Sequence, residues 1–174
     1  MKQALAGLKR RKDSDEGFTL IELMVVVLII AILIAIAIPT FLGARSRAQD
    51  KSAQSSLRNS LTAAKTIYTD SEDYSKATPA ALLGVEPSLA FVDATTGSAG
   101  PKSVSVSATT SVIAMAAVSS SGKCYVIRDN VGPASTGNPQ GTTFGTFTSN
   151  PATGACQPPA DPTATTGITY AAQW

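Results

Sequence analysis

The stretch GFTLIELMVVVLIIAILIAIAIP, Gly17 to Pro39, decides how the rest of the chain is read. Between Phe18 and Ile38 it carries a single ionisable side chain, Glu22, and it follows directly on the charged run KRRKDSDE at residues 9–16. A helix rising 1.5 Å per residue over that length reaches about 31 Å, against a bilayer hydrocarbon core of about 30 Å. The segment therefore predicts a membrane-spanning helix. A carboxylate inside such a helix costs about 2.5–3.5 kcal/mol on insertion scales, so Glu22 calls for a partner or a polar path.

The flanks orient the helix. Lys9, Arg10, Arg11 and Lys12 favour a cytoplasmic start, a bias reduced by Arg45, Arg47 and Lys51 on the far side. An ordinary secretory signal is the alternative, and Ala35-Ile36-Ala37 has the small-residue pattern of its cleavage site. The apolar run is longer than the 7–15 residues usual in such signals, and Pro39 stands just beyond that cut. The sharper break in composition lies at Gly17, where the charged segment ends. Glycine there has no side chain to obstruct close approach to the backbone and is a poor helix former.

The string Gly17-Phe18-Thr19-Leu20-Ile21-Glu22-Leu23, followed by unbroken aliphatics and Pro39, resembles the processing and assembly motif of type IV pilins and of their secretion-system relatives, the pseudopilins. The resemblance covers Gly17 to about Leu42 closely, and beyond that only the layout. It implies cleavage after Gly17 by a membrane-embedded prepilin peptidase, N-methylation of the new terminus at Phe18, and a role for Glu22 in subunit assembly. In that family the glutamate neutralises the terminal amine of a neighbouring subunit entering the filament.

Pro39 cannot donate a backbone hydrogen bond and crowds the carbonyl of Ala35, which predicts a kink. Further on, Leu57, Leu61, Ala64 and Tyr68 recur at spacings of four, three and four, the stripe of a helix lying on a core. Arg47, Lys51, Arg58 and Lys65 form an adjacent basic strip, read as a solvated face or as a contact for acidic groups. DSEDY at residues 70–74 reads as a polar turn ending the helix; its three acids lack the alternating, glycine-bearing loop of a calcium site. Residues 77–101 read as a connection, and the Pro/Thr/Ala-rich tail from Asn150 onward as surface loop. Between them, Val104 and Val106, the run Ser111–Val118, CYVIRD at residues 124–129 and TTFGTFT at 142–148 predict three to four antiparallel strands.

The expected fold is thus α+β, a long N-terminal helix packed on a small antiparallel β-sheet head. Its expected divisions are a leader at residues 1–17, the helix at 18–70 with its spanning part at 18–38, and an extracytoplasmic head at 71–174.

Composition narrows the function. The 174 residues contain no histidine, which removes the commonest general base near neutral pH and the commonest transition-metal ligand. The net charge of +2 resides in the first seventeen residues, so bulk attraction for nucleic acid is not supported. SSSGKC, residues 119–124, lacks the upstream glycine and trailing Ser or Thr of a phosphate loop. Cys124 and Cys156 are too few for a zinc site and too far apart for a redox pair; beyond a membrane they predict one disulfide, with two buried free thiols as the alternative.

We therefore expect a structural protein, neither an enzyme nor a binder of metal or cofactor. The resemblance implies that it inserts in the cytoplasmic membrane in a single pass and then joins a filament at the cell surface. Implied partners are copies of itself, a prepilin peptidase/methyltransferase, an assembly platform with its ATPase, and a host surface or DNA. A pseudopilin of a type II secretion or competence system shares the motif; a membrane-anchored binding module is the reading from another class.

Overall fold

The computed structural model describes residues 17–148, 155–164 and 167–174. Helix α1 runs from Leu20 to Ser71 and continues through Pro39. The chain divides into two units between Phe41 and Leu42, so the two parts of α1 belong to different units.

In the first unit the described part is helix from Leu20 onward, with its large apolar side chains exposed among the described residues. Its start is defined by a capping box at Thr19, immediately before the first helical residue. The Thr19 backbone N–H donates to Glu22 Oε2 at 2.9 Å and the Thr19 hydroxyl donates to the same oxygen at 2.7 Å. The Glu22 N–H in turn donates to Thr19 Oγ1 at 3.3 Å. The helix begins at Leu20, two residues later than Phe18. At Pro39, where the bond to Ala35 cannot form, the neighbouring Thr40 hydroxyl donates to the Ile36 carbonyl at 2.6 Å.

In the second unit α1 supplies one layer and a six-stranded sheet the other. The strands are β1 (Ala90–Asp93), β2 (Ser103–Ala108), β3 (Val112–Val118), β4 (Lys123–Asn130), β5 (Gly141–Thr148) and β6 (Thr169–Ala171), and they pair in that order. All pairs are antiparallel except β1 with β2, which is parallel. The predicted stripe meets the sheet as expected. Leu57, Leu61 and Ala64 are buried with Val104 and Val106 of β2, Ile113 and Met115 of β3, and Tyr125 and Ile127 of β4, while Tyr68 packs at the margin. Alternation along each strand puts those residues on one face.

The opposite face is covered by the chain itself. Cys124 and Cys156 are joined with Cα atoms 5.6 Å apart, and both are buried with Ala116 and Val118. Ser98 and Cys156 exchange backbone hydrogen bonds at 2.7 and 3.0 Å, and the Ser107 hydroxyl donates to the Ala160 carbonyl at 2.7 Å. Gly97 sits at φ +76° beside this seam, where an added Cβ would lie 2.7 Å from Gln157 Cγ.

Three expectations are corrected. The sheet has six strands, not three or four. The supposed connection at residues 77–101 contains α2 (Pro79–Val85) and the parallel strand β1, the helix being capped by Thr78, whose hydroxyl oxygen accepts from the Ala81 N–H. The tail contributes β6 and Trp174, whose ring packs edge-on against Tyr125 and Phe144 and whose Nε1–H donates to the Gly145 carbonyl at 3.0 Å.

Candidate functional site

The site predicted from the sequence is an unpartnered surface of helix rather than a cleft. Every large apolar side chain from Leu20 to Leu42 is exposed, the least exposed being Val25 and Ile30 at 48%. Monomeric soluble proteins rarely expose a continuous apolar surface on this scale, and such surfaces mark membrane or protein contacts. Among the described residues, α1 is the one helix long and apolar enough to cross a membrane, by length and composition.

At its start, Gly17 is exposed, a Cβ added to it would meet nothing within 4 Å beyond its chain neighbours among the described residues, and Phe18 is 87% exposed. Residues 1–16 of the expected leader lie outside the described residues. Glu22 is the third helical residue, where a negative charge is favoured by the helix dipole. Its carboxylate is held by Thr19, a residue the reading of this stretch did not single out. The signal was present as Thr-x-x-Glu immediately before an apolar run. A carboxylate so engaged can enter an apolar medium with one oxygen already hydrogen-bonded, leaving the other for an external donor.

The basic strip divides. Arg47 is exposed, and Lys51 Nζ donates to the Gln54 side chain at 3.0 Å. Arg58 lies 5.1 Å from the Trp174 ring centroid and 5.8 Å from that of Phe144. Lys65 pairs with buried Asp129 at 3.0 Å. Half of the strip thus fastens the helix to its own sheet rather than forming a solvated face.

Asp129 also accepts from the hydroxyls of Tyr74 at 2.7 Å and Thr142 at 2.5 Å. Burial opposes its ionisation, but the hydrogen bonds from Thr142, Tyr74 and Lys65 prevail and hold its carboxyl below the ordinary aspartate value. Burial and the carboxylate beside it push the Tyr74 phenol up. Asp50 forms a second such node: burial raises its pKa, hydrogen bonds led by the Ser121 hydroxyl lower it, and the net direction is down. Lys123 lies 3.3 Å from it. Both nodes join α1 to the sheet, with the carboxylates buried and their lysine partners partly exposed. At residues 70–74 the acids serve the chain turn: Glu72 takes a left-handed φ of 52°, and Asp73 caps the short helical turn Tyr74–Lys76 through the Ser75 N–H at 2.8 Å.

A family model for the prokaryotic N-terminal methylation motif matches residues 12–38. The chain therefore carries a prepilin-type signal, the one shared by type IV pilins and pseudopilins, and the match does not extend into the head. No curated protein and no solved structure matches the chain. Signal and apolar helix together support insertion in a membrane.

Proposed function

We propose that this chain is the structural subunit of a type IV pilus. It inserts in the cytoplasmic membrane with its basic end inside, is cleaved after Gly17, is N-methylated at Phe18, and polymerises through its N-terminal helix into a surface filament. The observation that carries the reading is the conjunction, in one segment, of the methylation motif and a helix whose large apolar side chains are all exposed among the described residues. A tether needs the apolar length alone. It needs neither an accessible Gly17–Phe18 junction nor an acid at the third helical position.

Cleavage at that junction creates an amine on Phe18. Glu22, held by Thr19, is the natural counter-charge for the corresponding amine on the next subunit. A bend at Pro39 would fit the helix to its neighbours. The partners of this reading are other copies of the chain, the peptidase and methyltransferase, and the assembly platform with its ATPase. Adhesion, motility and DNA uptake are roles for the assembled filament.

Electron microscopy of filaments sheared from cells, with mass spectrometry of their subunit, tests the proposal. We expect filaments built of a chain beginning at methylated Phe18. Absence of the chain from surface filaments, with the same terminus found on membrane protein, would replace the pilus by a pseudopilus. A terminus at Ile38 would remove both.

A further inference from the structure

Just beyond its exposed apolar stretch, α1 carries Arg45, Arg47 and Lys51. All three are exposed. The ion pairs among the described residues are Lys65–Asp129 and Lys123–Asp50, so none of the three has a carboxylate partner there. Lys51 donates to the neutral side chain of Gln54 at 3.0 Å, which leaves its charge uncompensated. Asp50, the acid beside it in sequence, is buried and already held by Lys123 and the Ser121 hydroxyl. The helix is also slim here: Gly43, Ala44, Ser46 and Ala48 flank the bases, and a Cβ added at Gly43 would meet nothing within 4 Å.

Leu42, 55% exposed, is the last large apolar residue of the exposed stretch. At 1.5 Å per residue, Arg45 and Arg47 lie about 4.5 and 7.5 Å further along the axis, and Lys51 about 13.5 Å. The polar layer of a bilayer adds about 5–7.5 Å on each side of its hydrocarbon core. Cα–Cβ bonds in a helix lean toward its N-terminus, so these long side chains reach back toward Leu42 and bring their charged ends to that layer. Two residues turn a helix by about 200°, which puts Arg45 on the side opposite Arg47 and Lys51. A single protein partner would meet one side, whereas lipid surrounds the helix. Bases beyond the far end of a spanning helix run against the positive-inside tendency, and an anionic counterpart at that surface offsets the penalty.

We propose that Arg45, Arg47 and Lys51 form a collar that binds the phosphates of anionic lipids in the extracytoplasmic leaflet. The guanidinium groups suit bidentate contact with phosphate oxygens, and the lysine adds a mobile point charge. This binding requires the membrane insertion of the function proposed above and is independent of filament assembly.

The test uses the full chain reconstituted in phosphatidylcholine vesicles with trace spin-labelled phosphatidylglycerol in one arm and spin-labelled phosphatidylcholine in the other. Electron spin resonance reads the share of each probe held immobile against the protein, and resistance to carbonate extraction reads insertion. We expect phosphatidylglycerol to be favoured at least about three-fold, with the preference falling in molar salt. Changing the collar by Arg45→Gln, Arg47→Gln and Lys51→Gln should lower that preference about two-fold or more while the chain still inserts. An unchanged preference in this variant would overturn the proposal, whether the probe was held by Lys9, Arg10, Arg11 and Lys12 at the other end or not at all. Unchanged lipid preference with loss of surface filaments would overturn it in favour of a contact with another subunit. Failure of the unaltered chain to insert would remove the membrane reading and the collar together, whereas insertion without any preference would remove the collar alone.

Discussion

Between Leu20 and Leu42 the large apolar side chains of α1 are all at least 48% exposed, whereas between Ala53 and Ala64 the same helix hides Leu57 completely and leaves Leu61 7% exposed. Both stretches are helical, but for different reasons. The second has an apolar stripe at spacings of three and four, with Ser55, Asn59 and Thr62 on its exposed side, and its partner is a sheet of the same chain. The first is apolar all round. A helix of that kind belongs in a buried or membrane environment, and among the described residues nothing supplies one. One stretch is finished by folding; the other calls for an apolar medium such as lipid.

The sharpest way to break the comparison is to make the same kind of cut in both stretches. Leu57→Ala removes a fully buried side chain and should destabilise the head by about 2–5 kcal/mol. Leu28→Ala should leave the head's thermal midpoint unchanged, because Leu28 is 61% exposed and belongs to the other unit. Thermal unfolding of both variants in the same detergent decides it. Equal losses would mean that the N-terminal half helps to hold the head together.

Much of this contrast was legible in the sequence, because periodicity reports whether a helix has one neighbour or many. The stripe from Leu57 to Tyr68, the strands with alternating or continuous apolar residues, and the two cysteines could all be read directly. β1 and β6 could not, since AFVD and TYA are too short to show a period and are ordered by the strands they join. The buried charges were illegible for a related reason. Nothing local in CYVIRD announces that Arg128 and Asp129 are both buried, on opposite faces of one strand. At the functional end the reverse held: Glu22 stood out as an anomaly, while the ordinary-looking Thr19 that holds it did not.

Reducing the Cys124–Cys156 bond touches the head alone. For a sequence separation of 32 the chain-entropy model gives a loss of about 3–4 kcal/mol. The thermal midpoint should fall on adding reductant, with the helical signal of the N-terminal half retained in detergent. An unchanged midpoint would show that the tail is held by its backbone seam and not by the bond.

A smaller effect is expected with pH. Asp129 and Asp50 have folded-state pKa values below their unfolded ones, so the stability they contribute is complete above the unfolded value of about 3.9. It is lost as pH falls through the folded values. The head should therefore weaken on acidification below about pH 4, and Asp129→Asn should flatten that decline while costing about 1–3 kcal/mol at neutral pH. Denaturant melts at a series of pH values measure both. A decline of the same steepness in Asp129→Asn would place the acid sensitivity elsewhere.

The central claim is that the N-terminal half is completed by other subunits and that the charge of Glu22 is what docks them. Glu22→Gln tests it most directly, because glutamine also satisfies the capping box with Thr19 and so leaves the helix start intact. Two unit charges about 4 Å apart interact by about 4 kcal/mol at an effective dielectric near 20, so loss of the charge should be felt strongly in docking. The measurement is the yield of sheared filaments from cells carrying equal amounts of cleaved, membrane-inserted subunit. The account predicts a drop of at least about ten-fold for Glu22→Gln, with insertion and cleavage unimpaired. A normal yield would contradict it and leave Glu22 as the cap of a helix that assembles by its apolar surface alone.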